Sequence, residues 1–344
     1  MRIGLVGYGT GGQHFHAPFI AAAEGVELAG VVARAPATVA KVEADLPGVP
    51  VHESLAAMIA AGGIDAVTIT TPPQTRRDLV LEAIAAGLHV IADKPFAPSA
   101  EGARELAAAA KARGVVLGAY HNRRFDADFQ TLRKVIADGR IGKVWRVHSR
   151  MEQDGAATLE AGPTGGLLRD LGSHVVDQML FLLGPVTSVD AQLDIADLPE
   201  GPTDAGFTIT LRHAGGAHSH LSASKLNRID AKEYRAYGDT GTYLSSGTDV
   251  QAEAIFAGLR PADDLAGWGY EPEANRGTLL TVAGTERVDS EQGRYHDYYA
   301  GFAQAIREGT PPPVTAEDAT AVLAILDAAR LSAGEGRSIE IEPG

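Results

Sequence analysis

The chain has no cysteine, and that absence removes disulfides, thiolate catalysis and cysteine-ligated zinc or iron–sulfur sites together. No apolar run approaches the ~18 residues that a membrane-spanning helix needs, and no basic-then-apolar leader precedes the first strand-like segment. Basic residues are scarce beside acidic ones: 30 Lys and Arg against 44 Asp and Glu leave a formal charge of −14. That sign argues against nucleic acid or an anionic membrane as the main partner, although a local basic pocket stays compatible with it. Internal repeats are missing too. The expectation is a cytoplasmic protein acting on small molecules.

What is present is a globular composition, 45% hydrophobic and 22% charged, over 344 residues, enough for two domains with separate cores. The chain opens Arg2-Ile-Gly-Leu-Val-Gly7-Tyr-Gly9-Thr-Gly-Gly12, a short apolar strand running into Gly-x-Gly-x-x-Gly. Each glycine has its own task. Gly7 permits the tight turn off the strand, Gly9 lets a pyrophosphate approach the backbone, and Gly12 lets the next helix pack closely with its N-terminus toward the phosphates. Further apolar runs at Leu28–Val32, Ala66–Thr70, His89–Ala92 and Val115–Ala119 alternate with helical stretches, clearest at Arg77–Ala86 and Ala100–Arg113. The alternation predicts a parallel Rossmann sheet with helices on both faces.

After Asn122 the pattern changes. A helix is expected near 126–138, a strand at Val144–Met151, and a helix after Gly165-Gly166 that ends near Gly184. Strands follow at Val186–Leu193, Gly206–Arg212 and Ala217–Ser224, with weaker runs at Tyr234–Tyr237 and Gly241–Leu244. Helices close the chain near Tyr298–Glu308 and Ala316–Ala333, while 239–249 and 261–276 read as loops. The fold class is therefore α/β: a dinucleotide-binding domain over residues 1–122, then an α+β domain over 123–344 on a largely antiparallel sheet.

An NAD-preferring Rossmann unit carries Asp or Glu at the end of its second strand. Here that position holds Arg34, and Glu27 falls at the opposite end of the strand. A guanidinium there can fork onto the 2′-phosphate of NADP; as an exposed or adenine-stacked arginine it would accept NAD as well. Asp93-Lys94-Pro95 follows a strand, so Lys94 emerges at the carboxyl edge of the sheet. It can donate to a substrate hydroxyl and stabilise the charge that develops there, or be an ordinary surface lysine. In Asp170-Leu-Gly-Ser-His174-Val-Val-Asp177, helical spacing would put Asp170, His174 and Asp177 on one face. A histidine beside a carboxylate can take a hydroxyl proton. The plainer reading is a helix capped by Asp170 over a core histidine, and Gly172 predicts an irregular start.

These motifs in this order resemble the glucose–fructose oxidoreductase/inositol dehydrogenase (Gfo/Idh/MocA) family. Phe15-His-Ala-Pro18, Tyr120-His-Asn-Arg-Arg-Phe-Asp126 and Pro313-Val-Thr-Ala-Glu-Asp-Ala319 resemble the branch with NADP-preferring scyllo-inositol dehydrogenases. The resemblance implies a second domain whose open sheet mediates dimers or tetramers. It implies Lys94, Asp170 and His174 as the catalytic set, with Lys94 on the reacting hydroxyl and His174 as acid/base oriented by Asp170. It also implies Asp177 and Asn122 near substrate, and Gly7, Tyr8, Gly9, Gly12, Arg34, Thr71, Pro72 and Lys94 around the cofactor. Two stretches depart from the family. Met151–Gly162 lacks the expected arginines, which leaves inositol open as substrate, and Thr71-Pro72-Pro73-Gln74-Thr75-Arg76 lacks a histidine near the cofactor.

His14 and His16 could suggest a metal site with His121 or His174, but zinc needs a convergent third ligand, and the resemblance implies His16 in the helix entry beside the cofactor, so no metal is expected. His218 and His220 share a strand face, and Trp268 either walls a sugar-sized pocket or caps the core. Tyr295-His-Asp-Tyr-Tyr299 begins a helix that could reach the site, without an assigned role. The reading is an NAD(P)-dependent oxidoreductase acting on a secondary alcohol or ketone of a sugar, inositol or related polyol, with NADP favoured and NAD possible. Its rival is a nucleotide-sensing regulatory protein of the same fold without turnover.

Overall fold

The computed structural model describes residues 1–162, 165–247 and 249–341. Six strands, β1 (Arg2–Val6), β2 (Glu27–Val32), β3 (Val51–His52), β4 (Ala66–Ile69), β5 (His89–Ala92) and β6 (Leu117–Ala119), form one sheet in the order β3-β2-β1-β4-β5-β6. Every pair is parallel, as the expected Rossmann arrangement requires. The order reverses between β1 and β4, so the carboxyl ends of those two strands border a crevice. Helices α1 (Ala17–Ala22), α2 (Pro36–Asp45), α3 (Leu55–Ala61), α4 (Pro73–Ala85) and α5 (Ala100–Arg113) lie between the strands. α5 keeps its expected bounds because both ends are marked: the Ser99 hydroxyl accepts from Gly102 N–H at 3.2 Å, and Gly114 leaves the helix at φ 72. β3, at two residues, is too short to show a period in the sequence.

The chain divides into two compact units, Met1–Asn122 with Gln251–Trp268 and Arg294–Thr320, and Arg123–Val250 with Gly269–Gly293 and Ala321–Gly344. In the first, Leu5, Tyr8, Ala17, Val31, Ala33 and Val42 form a buried cluster. Its aromatic residues gather elsewhere in the same unit, with Phe19 edge-on to both Trp268 and Tyr295. Trp268 donates to Gln251 Oε1 at 3.1 Å and is 6% exposed, so of its two expected roles it takes the core-capping one.

Among the described residues the second unit holds nine strands: β7 (Val144–Glu152), β8 (Val186–Leu198), β9 (Gly201–His213), β10 (His218–Ser224), β11 (Ala231–Gly238), β12 (Gly241–Gly247), β13 (Thr278–Thr281), β14 (Gly284–Arg287) and β15 (Ile339–Glu340). Their order is β14-β13-β12-β11-β7-β10-β9-β8-β15, with β7 and β10 parallel and every other pair antiparallel. Ser219, Leu221 and Ala223 of β10 are buried, and the intervening residues are half-buried. Helices α6 (Ala127–Ala137), α7 (Leu167–Asp170) and α8 (Gly172–Leu183) belong to this unit, where Phe129 of α6 packs on Tyr234 of β11. The polar side of the sheet carries His148, Arg150, Thr208, Thr210, His220 and Glu233 around a shallow hollow of about 410 Å³.

Part of the expected loop 239–249 is strand β12. Its glycines serve packing: a Cβ on Gly247 would lie 2.4 Å from Glu271 Oε1, and one on Gly241 would lie 3.0 Å from the Leu280 carbonyl. The remaining helices are α9 (Val250–Phe256), α10 (His296–Glu308) and α11 (Ala316–Glu335). Among the described residues no helix is long and apolar enough to cross a membrane.

Candidate active site

In the first unit the chain leaves β1 at Gly7 with φ +103, a region that favours glycine. A Cβ on Gly12 would lie 2.2 Å from the Gly7 carbonyl oxygen, whereas one on Gly9 would meet nothing within 4 Å. The third glycine is thus closed by backbone and the second is open, which suits close approach of a pyrophosphate at Gly9. The helix that follows begins as a wide turn, Gly11–His16, in which Ala17 N–H reaches back to the Gly12 carbonyl. Pro18 explains the widening, because it has no N–H for the His14 carbonyl and its ring crowds that oxygen.

Gly7, Tyr8, Gly9, Arg34, Ser54 and Thr71 line one cleft of about 750 Å³, a volume that fits a bound dinucleotide half. Arg34 is exposed at its rim, with no hydrogen-bond or ion-pair partner among the described residues. Glu27 stands at the start of β2, 3.7 Å from Arg2, at the opposite end of that strand from Arg34. The Tyr8 ring is buried in the core cluster, and its hydroxyl donates to Asp45 Oδ2 at 3.1 Å.

Lys94 lies in the turn after β5, half-buried, and the Lys94–Pro95 peptide is cis. Arg76, buried in the first turn of α4, ties this turn to the neighbouring loop. It donates to the Asp93 carbonyl at 2.8 Å, to the Thr71 carbonyl at 2.7 Å and to the Pro95 carbonyl. Pro72 caps α4 between these anchors. The sequence held one hint of this clamp: a cation in the first turn of a helix opposes the helix dipole, so it needs another reason to be there. Asn122 is buried and opens a single 3₁₀ turn, Asn122–Phe125.

In the second unit the expected single helix is broken, as Gly172 foreshadowed. α7 ends at Asp170 and α8 starts at Gly172, where a Cβ would lie 3.0 Å from Leu168 Cδ1. His174 is buried in the first turn of α8, its N–H on the Leu171 carbonyl at 3.1 Å. Asp170 accepts from the buried Lys225 ammonium at 3.0 Å. Asp177 is engaged by Arg124, whose Nε and Nη2 donate to its two oxygens at 2.8 and 2.7 Å while the guanidinium lies 4.5 Å over the Phe181 ring. Lys225 carried no sequence signal, and Arg124 lay in the motif 120–126 without a role of its own, since their partners lie 55 and 53 residues away. Among the described residues no cluster of three His, Asp or Glu could hold a metal ion.

A model of the GFO/IDH/MocA oxidoreductase family, NAD-binding Rossmann fold, matches residues 1–121, and the GFO/IDH/MocA C-terminal domain matches residues 129–244. A scyllo-inositol 2-dehydrogenase (NADP(+)) of Bacillus subtilis is 32% identical over 99% of this chain and 96% of its own length. An inositol 2-dehydrogenase of Rhizobium meliloti is 30% identical over 99% of both chains. Among solved structures, an oxidoreductase of Bacillus subtilis superposes with a TM-score of 0.90, at 32% identity over 99% of both chains.

Proposed function

The chain belongs to the GFO/IDH/MocA oxidoreductase family, and from that premise we propose that it moves a hydride between NADP, or NAD, and a secondary alcohol or ketone of a sugar, inositol or related polyol. The observation that carries the reading is the glycine cradle, closed at Gly12 and open at Gly9, with the Lys94 turn leaving β5, two strands along the same parallel sheet. When bound, the dinucleotide supplies the hydride acceptor for oxidation or the hydride donor for reduction. Residues 1–122 are assigned to dinucleotide binding, and 123–344 to substrate binding and oligomerisation.

Each proposed role follows from the side chain's chemistry. The Lys94 ammonium binds the reacting oxygen and stabilises negative charge as it develops. His174 takes the hydroxyl proton during oxidation and returns it during reduction. Asp170, held by Lys225, orients His174. Asn122 and Asp177 complete the substrate set, Asp177 through the Arg124 guanidinium that spans both its oxygens. Arg34 supports the preference for NADP, because an exposed and unengaged guanidinium can take a 2′-phosphate without breaking another bond. A homodimer or homotetramer formed through the open nine-stranded sheet, in a cytoplasmic setting, completes the proposal.

The test is a steady-state assay over inositols, sugars and their keto forms with both cofactors. Turnover with at least one, faster with NADP, is expected. Tight dinucleotide binding without turnover on any of them would replace this reading with that of a nucleotide sensor.

A further inference from the structure

His16 ends the wide turn that follows the glycine motif and is 1% exposed. Its two ring nitrogens address different elements of the first unit. Nε2 lies 3.4 Å from Asp93 Oδ2, and Nδ1 lies 2.6 Å from the Tyr299 hydroxyl oxygen on α10. The ring also lies against Tyr120, with centroids 4.2 Å apart, and the Tyr120 hydroxyl donates to the Phe15 carbonyl at 2.7 Å. An ordinary core histidine needs one or two partners from wherever packing supplies them. Here the partners come from the lysine turn, from α10 and from the residue just after β6.

Asp93 is the joint of this arrangement. Its Oδ1 accepts the backbone N–H of Lys94 at 2.7 Å, and its Oδ2 faces His16 and would come within 3.4 Å of a Cβ placed on Gly11. Burial alone would push the Asp93 carboxyl up, but His16, Arg76 and Lys94 outweigh it and hold the group at about 2. An ionised carboxylate only accepts, so Nε2 of His16 carries a proton toward it. Arg76 already fastens the carbonyls of the same turn. The three-residue turn is therefore held twice, once by its backbone and once through the Asp93 side chain, which is more restraint than a connection between a strand and a helix requires.

We propose that His16, clasped between Asp93 and Tyr299, is a positioning residue that fixes the backbone of Lys94 to the glycine motif, so that loss of the clasp frees Lys94 without emptying the dinucleotide site. The consequence for turnover rests on the reading of Lys94 as the group that binds the reacting oxygen. The consequence for the placement of Lys94 does not.

Two variants test it with little disturbance: Tyr299→Phe removes one oxygen and keeps the ring, and His16→Gln keeps an amide donor. In the protein without cofactor, Lys94 is acetylated with N-acetoxysuccinimide and read by peptide mass spectrometry against the exposed Lys134 as internal reference. Both variants should acetylate Lys94 at least about threefold faster relative to Lys134, with the melting temperature kept. Turnover should fall about tenfold while NADPH binding, followed by fluorescence, stays within about threefold of wild type. Unchanged Lys94 acetylation in both variants overturns the proposal. So does a loss of activity that only tracks a lowered melting temperature or weakened NADPH binding. The underlying reading is judged separately: Lys94→Ala with wild-type turnover would remove the catalytic role of Lys94, whatever the acetylation shows.

Discussion

Two carboxylate sites, Asp93 in the first unit and Asp126 with Asp128 in the second, are built in opposite ways. In the first, Asp93 stands alone among His16, Arg76 and Lys94, and stays a fixed anion held at about 2. In the second, Asp126 and Asp128 share one buried ammonium, with Lys232 Nζ donating to them at 2.5 and 2.8 Å. Arg123 is drawn between Asp126 and Asp249, at 3.2 and 2.7 Å. Burial, and then the neighbouring Asp126, push Asp128 up to about 6 against the pull of Lys232. Asp93 keeps 16% of its side chain exposed while Asp128 is fully enclosed, so burial and the charges around each carboxyl act together in separating the two. The first arrangement fixes an anion; the second leaves a group close to its titration point.

The proposed division of labour between the units follows the same line, with binding in the first and proton transfer in the second. His174→Ala should cost about 10²–10⁴ in turnover and leave dinucleotide affinity nearly unchanged. Affinity falling in step with turnover, measured by NADPH titration beside initial rates, would break the division. Lys232→Met should destabilise by about 3–5 kcal/mol in urea unfolding, because it strands two buried carboxylates. A loss below about 1 kcal/mol would mean that water already serves that cluster.

Arg34→Ala should weaken NADP binding roughly 10-fold while leaving NAD nearly untouched, from the loss of a charge-assisted bond. An unchanged ratio of the two affinities would separate Arg34 from cofactor choice. The smallest effect expected is on pH dependence, with opposite signs for the two carboxyls. Asp128, at about 6 in the fold against an ordinary 3.8, adds stability below its unfolded value that is lost as pH rises through about 6. Asp93, at about 2, adds stability above its unfolded value that is lost as pH falls through about 2. Burial lowers His148, His213, His220 and His296, which add stability as pH rises, so the Asp128 contribution is read as a difference: the unfolding midpoint of the wild type minus that of Asp128→Asn should fall between about pH 4 and 7. A difference that does not change over that range would contradict the raised Asp128 carboxyl.

Much of the fold was legible because local chemistry and tertiary packing agree. The parallel strands are short apolar runs, and α5 carries a serine cap and a terminal glycine at its ends. β14 escaped notice because all four of its residues are exposed, so no apolar alternation marks it. In the segment 239–249, glycines that read as a loop are present because Glu271 and Leu280 leave no room for a Cβ. Of the proposed site, the glycine motif, Lys94 and His174 were named from the sequence, and the break before His174 was legible from Gly172. Their supports were not legible as pairings. Arg76 gave a hint by opposing its helix dipole, and Arg124 and Tyr299 lie in stretches named from the sequence, but their partners are set by the fold, 283 residues away in the case of Tyr299 and His16, and no local period encodes such a pairing.

The central claim is hydride transfer, and it can be weighed directly. Keto-inositols and keto-sugars are reduced with NADPH deuterated at the transferring position of C4, and the alcohol product is examined by mass spectrometry. The account predicts deuterium on the new carbinol carbon with the wild-type chain, and at least about a hundredfold less product with His174→Ala. Product without deuterium, or bound NADPH that never yields product, would contradict it.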